Sequence, residues 1–292
     1  MNVDVACVGD PFLDLIFLGL PALPVPGEEQ VADRLRIVPG GMANVAYALG
    51  RLGLEAVVCA PIGRDPAGRL LGELMADAGV SWLGHPADIT PVSVALPAHG
   101  ERAFVTVSPP STVDLETLAQ VTARAIVVDL PSAALLPAHA RVYGVLGDPE
   151  VRAMAGRLPS SLDGLRALIL NEREVRGLTG LTDVPGAAGH LAALGTTVVV
   201  TRGAGGATAI EPGGRTVDVD AVAADVADST GAGDLFAAAY VWADLAGRPL
   251  DERLHLATRY ASLSLERATD RQKGIALEDF TDLLAGSSAA TR

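Results

Sequence analysis

The sequence is poor in cysteine, in aromatic residues and in basic charge, and these shortages narrow the range of functions. It has two cysteines, Cys7 and Cys59, both in apolar strand-like runs, so we expect two buried thiols and no zinc site. The formal net charge of −13 leaves no basic patch, and we predict no nucleic-acid partner. No apolar run approaches a membrane span and the N-terminus lacks signal-peptide features, so we predict no membrane association and a cytoplasmic location.

Short apolar runs alternate with longer Ala- and Leu-rich segments through most of the chain. Hydrophobic residues make up 49% of the 292 residues, enough for a large core. Apolar strands separated by helices predict an α/β fold with a mostly parallel sheet and helices on both faces. The predicted strands are Val3–Val8, Ala56–Ala60, Ala125–Leu130, Ala140–Leu146, Leu165–Leu170 and Thr196–Thr201. The predicted helices are Ala43–Leu52, Pro66–Ala78, Arg173–Leu178, Val184–Leu194, Ala232–Leu245 and Asp251–Ala268.

Two pairs of extended segments interrupt this alternation. They are Leu13–Leu18 with Glu29–Val38, and Val92–Pro97 with Arg102–Val107, the second pair joined by the predicted tight turn Ala98-His99-Gly100-Glu101. We expect a single α/β domain over residues 1–292, with a small inserted β-sheet lid formed from about 13–38 and 90–108. Closing such a lid would exclude water from a reaction. Its edge strands would also be able to pair across a homodimer.

The most informative segment is Asp228-Ser229-Thr230-Gly231-Ala232-Gly233-Asp234, which leads into an Ala-rich helix. Gly231 and Gly233 tolerate backbone angles that other residues avoid, and Ala232 adds little bulk. Such a turn can direct successive N–H groups at an anion, and the positive end of the helix favours a phosphate at the same place. Asp234 is then a candidate base that faces a second substrate. Alternatively, it is an ordinary N-cap of the helix.

This seven-residue string resembles the C-terminal signature of the PfkB (ribokinase-like) family of sugar and nucleoside kinases, and the similarity extends over most of the chain. The resemblance implies a ribokinase-like fold for the α/β domain. It also implies that Asp234 is the catalytic base. The N–H groups of Gly231, Ala232 and Gly233 would then stabilise charge on the transferring phosphoryl group.

Two further segments resemble the part of the family that binds the acceptor. The first strand and its loop imply that Asp14, with Asp10 as a second candidate, contacts sugar hydroxyls; alternatively, both are solvated loop carboxylates. The segment containing Gly40, Gly41 and Asn44 is similar to the Gly-Gly substrate motif, although Pro39 replaces the usual first glycine. Glycine lets the backbone approach a sugar closely, and an asparagine amide both donates and accepts hydrogen bonds. The alternative for this segment is a plain helix N-terminus.

Two more segments resemble the nucleotide-binding part of the family. Asn171 and Glu174 match the Asn-x-x-Glu motif, which implies that they organise Mg²⁺ through water; their spacing is equally that of a capping box. The strand and Gly turn containing Thr201, Gly203 and Gly206 resemble the segment that lies under the nucleotide. No P-loop or dinucleotide fingerprint is present. The implied cofactors are ATP and Mg²⁺, with a monovalent cation such as K⁺ as a further candidate.

The predicted activity is ATP-dependent transfer of the γ-phosphate to a hydroxyl of a small sugar or sugar-like acceptor. A nucleoside kinase of the same family is the first alternative. The second is a non-catalytic sugar or nucleoside sensor on the kinase fold. ADP release on mixing with candidate acceptors distinguishes the enzymes from the sensor. The identity of the acceptor, the hydroxyl that is phosphorylated and the oligomeric state stay open at this point.

Overall fold

The computed structural model describes residues 1–98, 101–109, 114–136, 141–154, 156–159, 162–224 and 228–289. Within these ranges the chain forms sheets of nine, four and two strands. The strands are β1 (Asn2–Val8), β2 (Pro11–Leu18), β3 (Arg34–Gly41), β4 (Ala56–Cys59), β5 (Ile62–Gly63), β6 (Ser81–Leu83), β7 (Pro86–Ala87), β8 (Val92–Ala98), β9 (Glu101–Val107), β10 (Thr122–Asp129), β11 (Arg141–Val145), β12 (Ala167–Asn171), β13 (Thr197–Thr201), β14 (Ala207–Ile210) and β15 (Thr216–Val219). The helices are α1 (Met42–Arg51), α2 (Pro66–Ala76), α3 (Leu115–Leu118), α4 (Leu130–Ala133), α5 (Asp148–Met154), α6 (Glu172–Thr179), α7 (Val184–Ala192), α8 (Ala232–Leu245), α9 (Leu250–Glu266) and α10 (Leu277–Ala289).

The nine-stranded sheet has the order β15-β14-β13-β12-β11-β10-β1-β4-β6. Six of its eight strand pairs are parallel, and the two antiparallel pairs, β13 with β14 and β14 with β15, lie together at one edge. The predicted α/β class with a mostly parallel sheet is therefore confirmed. Residue 140, where one predicted strand begins, lies outside the described residues.

Successive residues of the strands are buried on opposite faces of this sheet. In β1, Val5 and Cys7 belong to the core cluster that includes α1, α8 and α9, whereas Ala6 and Val8 belong to the cluster that includes α6 and α7. Helices therefore cover both faces, as predicted. Both cysteines are buried free thiols. Among the described helices, none has the length and apolar character needed to cross a bilayer.

The second sheet, called the small sheet below, has the order β3-β2-β8-β9. Both predicted extended pairs contribute to it, but the arm predicted at Glu29–Val38 is shifted and forms Arg34–Gly41 instead. The reason is register: β2 ends at Leu18, which pairs with Arg34, and begins at Pro11, which pairs with Gly41. The paired register with β2 therefore ends at Arg34, and before it only the Asp33 N–H reaches β2, by a 3.0 Å hydrogen bond to the Leu18 carbonyl oxygen, among the described residues. Residues 99–100 of the predicted turn lie outside the described residues.

The small sheet is joined directly to the helical layer, because β3 ends at Gly41 and α1 begins at Met42. Gly41 is the N-cap of α1 and has a φ of 52°, in the left-handed region. A Cβ at this position would lie 2.6 Å from the Phe12 ring and 2.8 Å from the Asp10 carbonyl oxygen. Glycine is therefore required at the junction for both its dihedral angle and its small size.

Candidate active site

A cleft of about 800 Å³ lies between the small sheet and the carboxyl ends of the central parallel strands. Gly9, Cys59, Asp129 and Leu146 line it at or just after the ends of β1, β4, β10 and β11. Ligands of open α/β sheets bind in such crevices outside the carboxyl ends of the strands. The predicted residues that line this cleft are Asp10, Asp14, Gly41, Gly231 and Asp234.

The seven-residue segment forms the turn that begins α8. Gly231 is the N-cap with a φ of 79°, so Ala232, Gly233 and Asp234 are the first three residues of the helix. The alternative in which Asp234 is the N-cap is therefore wrong. The Ala232 N–H donates to the Ser229 carbonyl oxygen at 3.2 Å. Within the described residues, the N–H groups of Gly231 and Gly233 have no backbone acceptor, which leaves two donors for an anion.

Asp234 is held by a side chain from α1, the helix that packs against α8. The Asn44 amide in α1 donates to Asp234 Oδ2 at 2.9 Å and to the Gly231 carbonyl oxygen at 3.4 Å. Burial raises the pKa of Asp234 to about 6, while the Asn44 hydrogen bond and the charge of Lys273 act against this rise. A carboxylate with a pKa near 6 is a better proton acceptor than an ordinary aspartate and is still ionised at neutral pH.

The predicted acceptor-binding residues meet beside Asp234. Asp14 in β2 is 9% exposed and lies against Gly40, where a Cβ would come within 2.1 Å of Asp14 Oδ1. Burial raises the pKa of Asp14 to about 7; Lys273 lowers it, and Asp234 and Asp228 raise it further. The charges of Asp14 and Asp234 thus influence each other across the cleft.

Asp10 lies further out in the cleft, where Ser108 Oγ donates to Asp10 Oδ2 at 2.9 Å. The Asp10 main chain has a separate structural role, since its carbonyl oxygen accepts from the Met42 N–H at 3.1 Å. This contact fixes the start of α1 against the loop after β1. The Asp10 carboxylate is therefore the more accessible of the two predicted acceptor carboxylates, and Asp14 is the more buried.

Asn171 and Glu174 form a capping box at the start of α6. Asn171 Oδ1 accepts from the Glu174 N–H at 2.9 Å, and Glu174 Oε2 accepts from the Asn171 N–H at 2.8 Å. Burial raises the pKa of Glu174 to about 7, the Asn171 backbone hydrogen bond lowers it, and Asp148 and Asp234 raise it further. Glu174 therefore lies within electrostatic reach of the candidate base.

The donor set suits a weakly held magnesium ion. Within the described part of the chain, no three His, Cys, Asp or Glu side chains converge to form a metal cluster. Mg²⁺ retains several waters and needs only one or two protein carboxylates, so Glu174 with the Asn171 amide fits an ion held through water. Each side chain accepts from the backbone N–H of the other residue, which leaves Glu174 Oε1 and the second lone pair of Asn171 Oδ1 available to the ion's waters.

The predicted nucleotide residues lie one strand away from this pair. Thr201 ends β13 and pairs in register with Asn171 of β12. Gly203 and Gly206 bound the short 3-10 turn Gly203–Gly205 that follows. A Cβ on Gly206 would lie 2.0 Å from the Val219 carbonyl oxygen, so this glycine is required by packing. Gly203 faces open space. These three residues are not among the described residues that line the 800 Å³ cleft.

A buried charge cluster under the turn was not predicted from the sequence. Lys273, only 2% exposed, donates from Nζ to the Thr230 carbonyl oxygen at 2.7 Å. Asp228 Oδ1 accepts from the Thr230 N–H at 3.0 Å, and Asp228 Oδ2 pairs with Arg36 Nη1 at 3.4 Å. One signal was available: Lys273 is the single lysine of a chain with 21 arginines. Such a composition makes a lone lysine a candidate for a specific role.

Known proteins resemble this chain in sequence and in fold. The family model described as pfkB family carbohydrate kinase matches residues 3–273. The bifunctional protein HldE of Azorhizobium caulinodans is 28% identical over 90% of this chain, which spans 61% of that relative's length. Arabidopsis thaliana ribokinase, complexed with ribose and ATP, has a TM-score of 0.78 and 24% identity, covering 97% of this chain and 99% of that one. Sinorhizobium meliloti adenosine kinase has a TM-score of 0.74 and 20% identity, covering 97% and 100%. The chain therefore belongs to the pfkB family of carbohydrate kinases, phosphotransferases that use ATP and an alcohol group as acceptor.

Proposed function

We propose that the chain transfers the γ-phosphate of ATP to a hydroxyl of a small sugar or sugar-like acceptor, with Asp234 as general base. The observation that carries this proposal is the position of Asp234. It lines the cleft directly after Gly233 and three residues after Gly231, whose N–H groups have no backbone acceptor among the described residues, and Asn44 holds its carboxylate by a hydrogen bond of 2.9 Å. A base and an anion-binding turn so close together suit attack by a hydroxyl on a phosphoryl group.

In the proposed reaction the acceptor oxygen forms a new bond to the γ-phosphorus as the bond to the ADP oxygen breaks. The hydroxyl proton passes to Asp234. Charge on the transferring group is stabilised by the N–H groups of Gly231 and Gly233, and by that of Ala232 if its bond to Ser229 opens. Asn171 and Glu174 would hold Mg²⁺ through water. The charge of the bound ion would neutralise part of the negative charge of the phosphates.

We assign the acceptor side of the cleft to Asp14, Gly40, Gly41 and Asn44, with Asp10 at its outer edge. Asp14 and Asn44 offer polar atoms next to the base, and the two glycines make room for the Asp14 carboxylate and the Phe12 ring, which occupy the space that a Cβ would take. The Asn44 Oδ1 atom supports this assignment, because it is buried with no hydrogen-bond partner among the described residues. An acceptor hydroxyl would satisfy it.

We further assign the nucleotide to the neighbouring ends of β12 and β13, with Thr201, Gly203 and Gly206 beneath it. The support is their adjacency: Thr201 is in register with Asn171, which belongs to the proposed magnesium pair. The open space above Gly203 leaves room for a ligand. The monovalent cation expected from the resemblance stays a prediction.

A nucleoside is the second candidate acceptor, and one observation favours it. Phe12 and Phe104 both line the cleft from the small sheet, and Phe104 is 52% exposed. Exposed aromatic faces can stack on a nucleobase. A nucleoside kinase would use the same base and turn, so only the acceptor distinguishes the two functions.

We also propose a single domain over residues 1–292, in which the small sheet is a lid, and a cytoplasmic location, which suits two free thiols. The lid's edge strand β9 exposes Val105 and Val107 on one face, which supports a homodimer formed through this strand. Light scattering on the full chain tests the homodimer. A dimer that becomes monomeric in Val105→Lys supports it, whereas a monomeric wild type excludes it.

A coupled ADP-release screen tests the proposed function. The acceptors are pentoses, hexoses, ketoses, keto-deoxy sugar acids and nucleosides, each with MgATP. Asp234→Asn is the test variant, and Asp183→Asn is its matched control, because Asp183 caps α7 and asparagine caps equally well. Release of ADP by the wild type and the control but not by Asp234→Asn supports the proposal. Equal turnover by all three proteins, or none with any acceptor, would refute it.

A further inference from the structure

The only lysine of the chain is buried directly beneath the proposed anion-binding turn. Lys273 Nζ lies 2.7 Å from the Thr230 carbonyl oxygen and 3.3 Å from the position a Cβ on Gly231 would take. Burying an ammonium group is costly unless it is paired and hydrogen-bonded. A lysine kept at 2% exposure in a chain that otherwise uses arginine therefore needs a specific explanation.

The first consequence of this position concerns the backbone of the turn. In a trans peptide the carbonyl of Thr230 and the N–H of Gly231 point in opposite directions. An ammonium on the carbonyl side therefore polarises the N–H on the cleft side toward an anion. In an α-helix continued by one residue, the Thr230 oxygen would accept from the Asp234 N–H. Lys273 donates to this oxygen instead, and among the described residues the N–H groups of Gly233 and Asp234, unlike that of Ala232, have no backbone acceptor.

The second consequence is electrostatic. The charged groups that face Lys273 are Asp14 from β2, Asp228 and Asp234 from the turn and α8, and Arg36 from β3. Burial lowers the pKa of Lys273, whereas Asp14, Asp228 and Asp234 raise it and Arg36 lowers it. Three carboxylates thus share two fixed cations. Without Lys273 the site would carry more negative charge just where the γ-phosphate must bind.

The loop that carries Lys273 is pinned on both sides. The Ile37 N–H in β3 donates to the Asp270 carbonyl oxygen at 2.8 Å, and the Ile275 N–H donates to Ser264 Oγ in α9 at 3.2 Å. Tyr260 Oη also donates to the Ile275 carbonyl oxygen at 3.1 Å. Lys273 is therefore held in place from the small sheet and from α9.

We propose that Lys273 is a positioning residue, a built-in cation that keeps the Gly231–Gly233 turn open for the transferring phosphoryl group. This inference rests on the proposed kinase function. A diffusible cation able to stabilise the same turn would bind its carbonyl oxygens from beneath. The Thr230 oxygen is already taken by Lys273, and the Gly231 oxygen by Asn44 at 3.4 Å. Phosphoryl transfer by this chain therefore requires no added K⁺.

The first experiment needs no variant. ADP release by the wild type is measured with the best acceptor of the screen, in buffers that contain K⁺ or tetramethylammonium at equal ionic strength. Equal turnover in the two buffers is expected. Turnover that depends on K⁺ would overturn the proposal. If no acceptor yields ADP, the kinase function itself fails, and the binding experiment below still tests Lys273.

The second experiment compares Lys273→Met, which removes the charge, with Lys273→Arg, which keeps it. Arg166→Met is the matched control, because it also removes a cation that pairs with a buried carboxylate, that of Asp244. Arg166 directly precedes β12 and does not line the cleft. For Lys273→Met we expect a roughly 100-fold fall in kcat, the cost of one lost oxyanion-hole donor. Lys273→Arg should restore part of it, and Arg166→Met should retain wild-type kcat.

Three readouts separate a positioning role from a merely structural one. MgADP with aluminium fluoride, a mimic of the transferring group, should bind at least about tenfold more weakly to Lys273→Met by calorimetry. Methylammonium or K⁺ should raise the turnover of Lys273→Ala and not that of the wild type. The acid limb of the pH profile should move to higher pH in Lys273→Met, because the Lys273 charge lowers the pKa of Asp14 and Asp234. Wild-type kcat and unchanged fluoride-complex affinity in a folded Lys273→Met would overturn the proposal.

Discussion

Replacing Asp234 by asparagine should strongly reduce turnover and, at the same time, stabilise the folded chain. Burial raises the pKa of Asp234 from its usual 3.8 to about 6, so the folded protein opposes ionisation of this carboxylate. A difference of about two pKa units corresponds to about 3 kcal/mol. Below about pH 4 the carboxyl group is protonated in both folded and unfolded chains, and this cost is absent. Above about pH 6 the cost is complete, so stability falls as pH rises through this interval.

The asparagine variant removes this cost and keeps the shape of the side chain. Its amide can still accept from Asn44 Nδ2, and it can donate to Asn44 Oδ1, which is buried without a partner among the described residues. We therefore expect the free energy of unfolding at pH 8 to rise by about 1–3 kcal/mol. At pH 4 the variant and the wild type should agree. Turnover should fall by about 10²–10⁴-fold, the usual contribution of a general base.

Urea denaturation at pH 8 and pH 4, followed by circular dichroism, measures the difference, with Asp183→Asn as the control. Equal slopes against urea are needed for the comparison, because a changed slope means a changed unfolded or folded state. A destabilised Asp234→Asn at pH 8, or the same gain at both pH values, would refute the electrostatic reasoning. Wild-type turnover in the variant would refute its role as base.

Three further predictions concern the turn, the metal and the pH profile. Gly231→Ala should lose more stability and activity than Gly247→Ala. Both glycines have φ near 75°, but of the two only Gly231 has a neighbour that a Cβ would meet, Asn44 Nδ2 at 2.5 Å. Similar urea midpoints for the two variants would contradict this packing argument. Glu174→Gln should raise the Mg²⁺ concentration for half-maximal turnover by roughly 10-fold, and it should retain helix α6. An unchanged Mg²⁺ concentration for half-maximal turnover would show that Glu174 is not part of the metal site. Turnover should fall as pH drops below about 6, because protonated Asp234 accepts no proton; a limb near pH 4 would exclude the raised pKa.

Features that depend on nearby residues were predictable from the sequence. Helix α8 begins at Ala232 and ends at Leu245 as predicted, because a glycine turn precedes a continuous run of small and apolar residues. The capping box was an open alternative for Asn171 and Glu174, and it is present because its partners are three residues apart. Whether the pair also organises magnesium stays a prediction.

Hydrogen bonds between residues far apart in the chain were not predictable from the sequence. The Asn44–Asp234 hydrogen bond joins residues 190 apart, and the Lys273–Thr230 bond joins residues 43 apart. Apolar periodicity specifies which face of a helix is buried, but not which polar group it meets across the core. For the same reason the shift of β3 to Arg34–Gly41 followed from pairing with β2 and not from the composition of β3 itself.

The uninterrupted path from β3 into α1 has a consequence for wasteful hydrolysis of ATP. Asn44 is the third residue of α1, and its amide is hydrogen-bonded to the carboxylate of Asp234. A tilt of the small sheet about Gly41 would therefore turn α1 and move Asn44 relative to the base, Asp234, in α8. An acceptor bound between the two sheets could release the carboxylate by taking over the Asn44 amide, whereas a lone water lacks the size to tilt the sheet. The base would then be unmasked by the correct acceptor, so that specificity would arise from the linkage between strand and helix as well as from the contacts in the cleft.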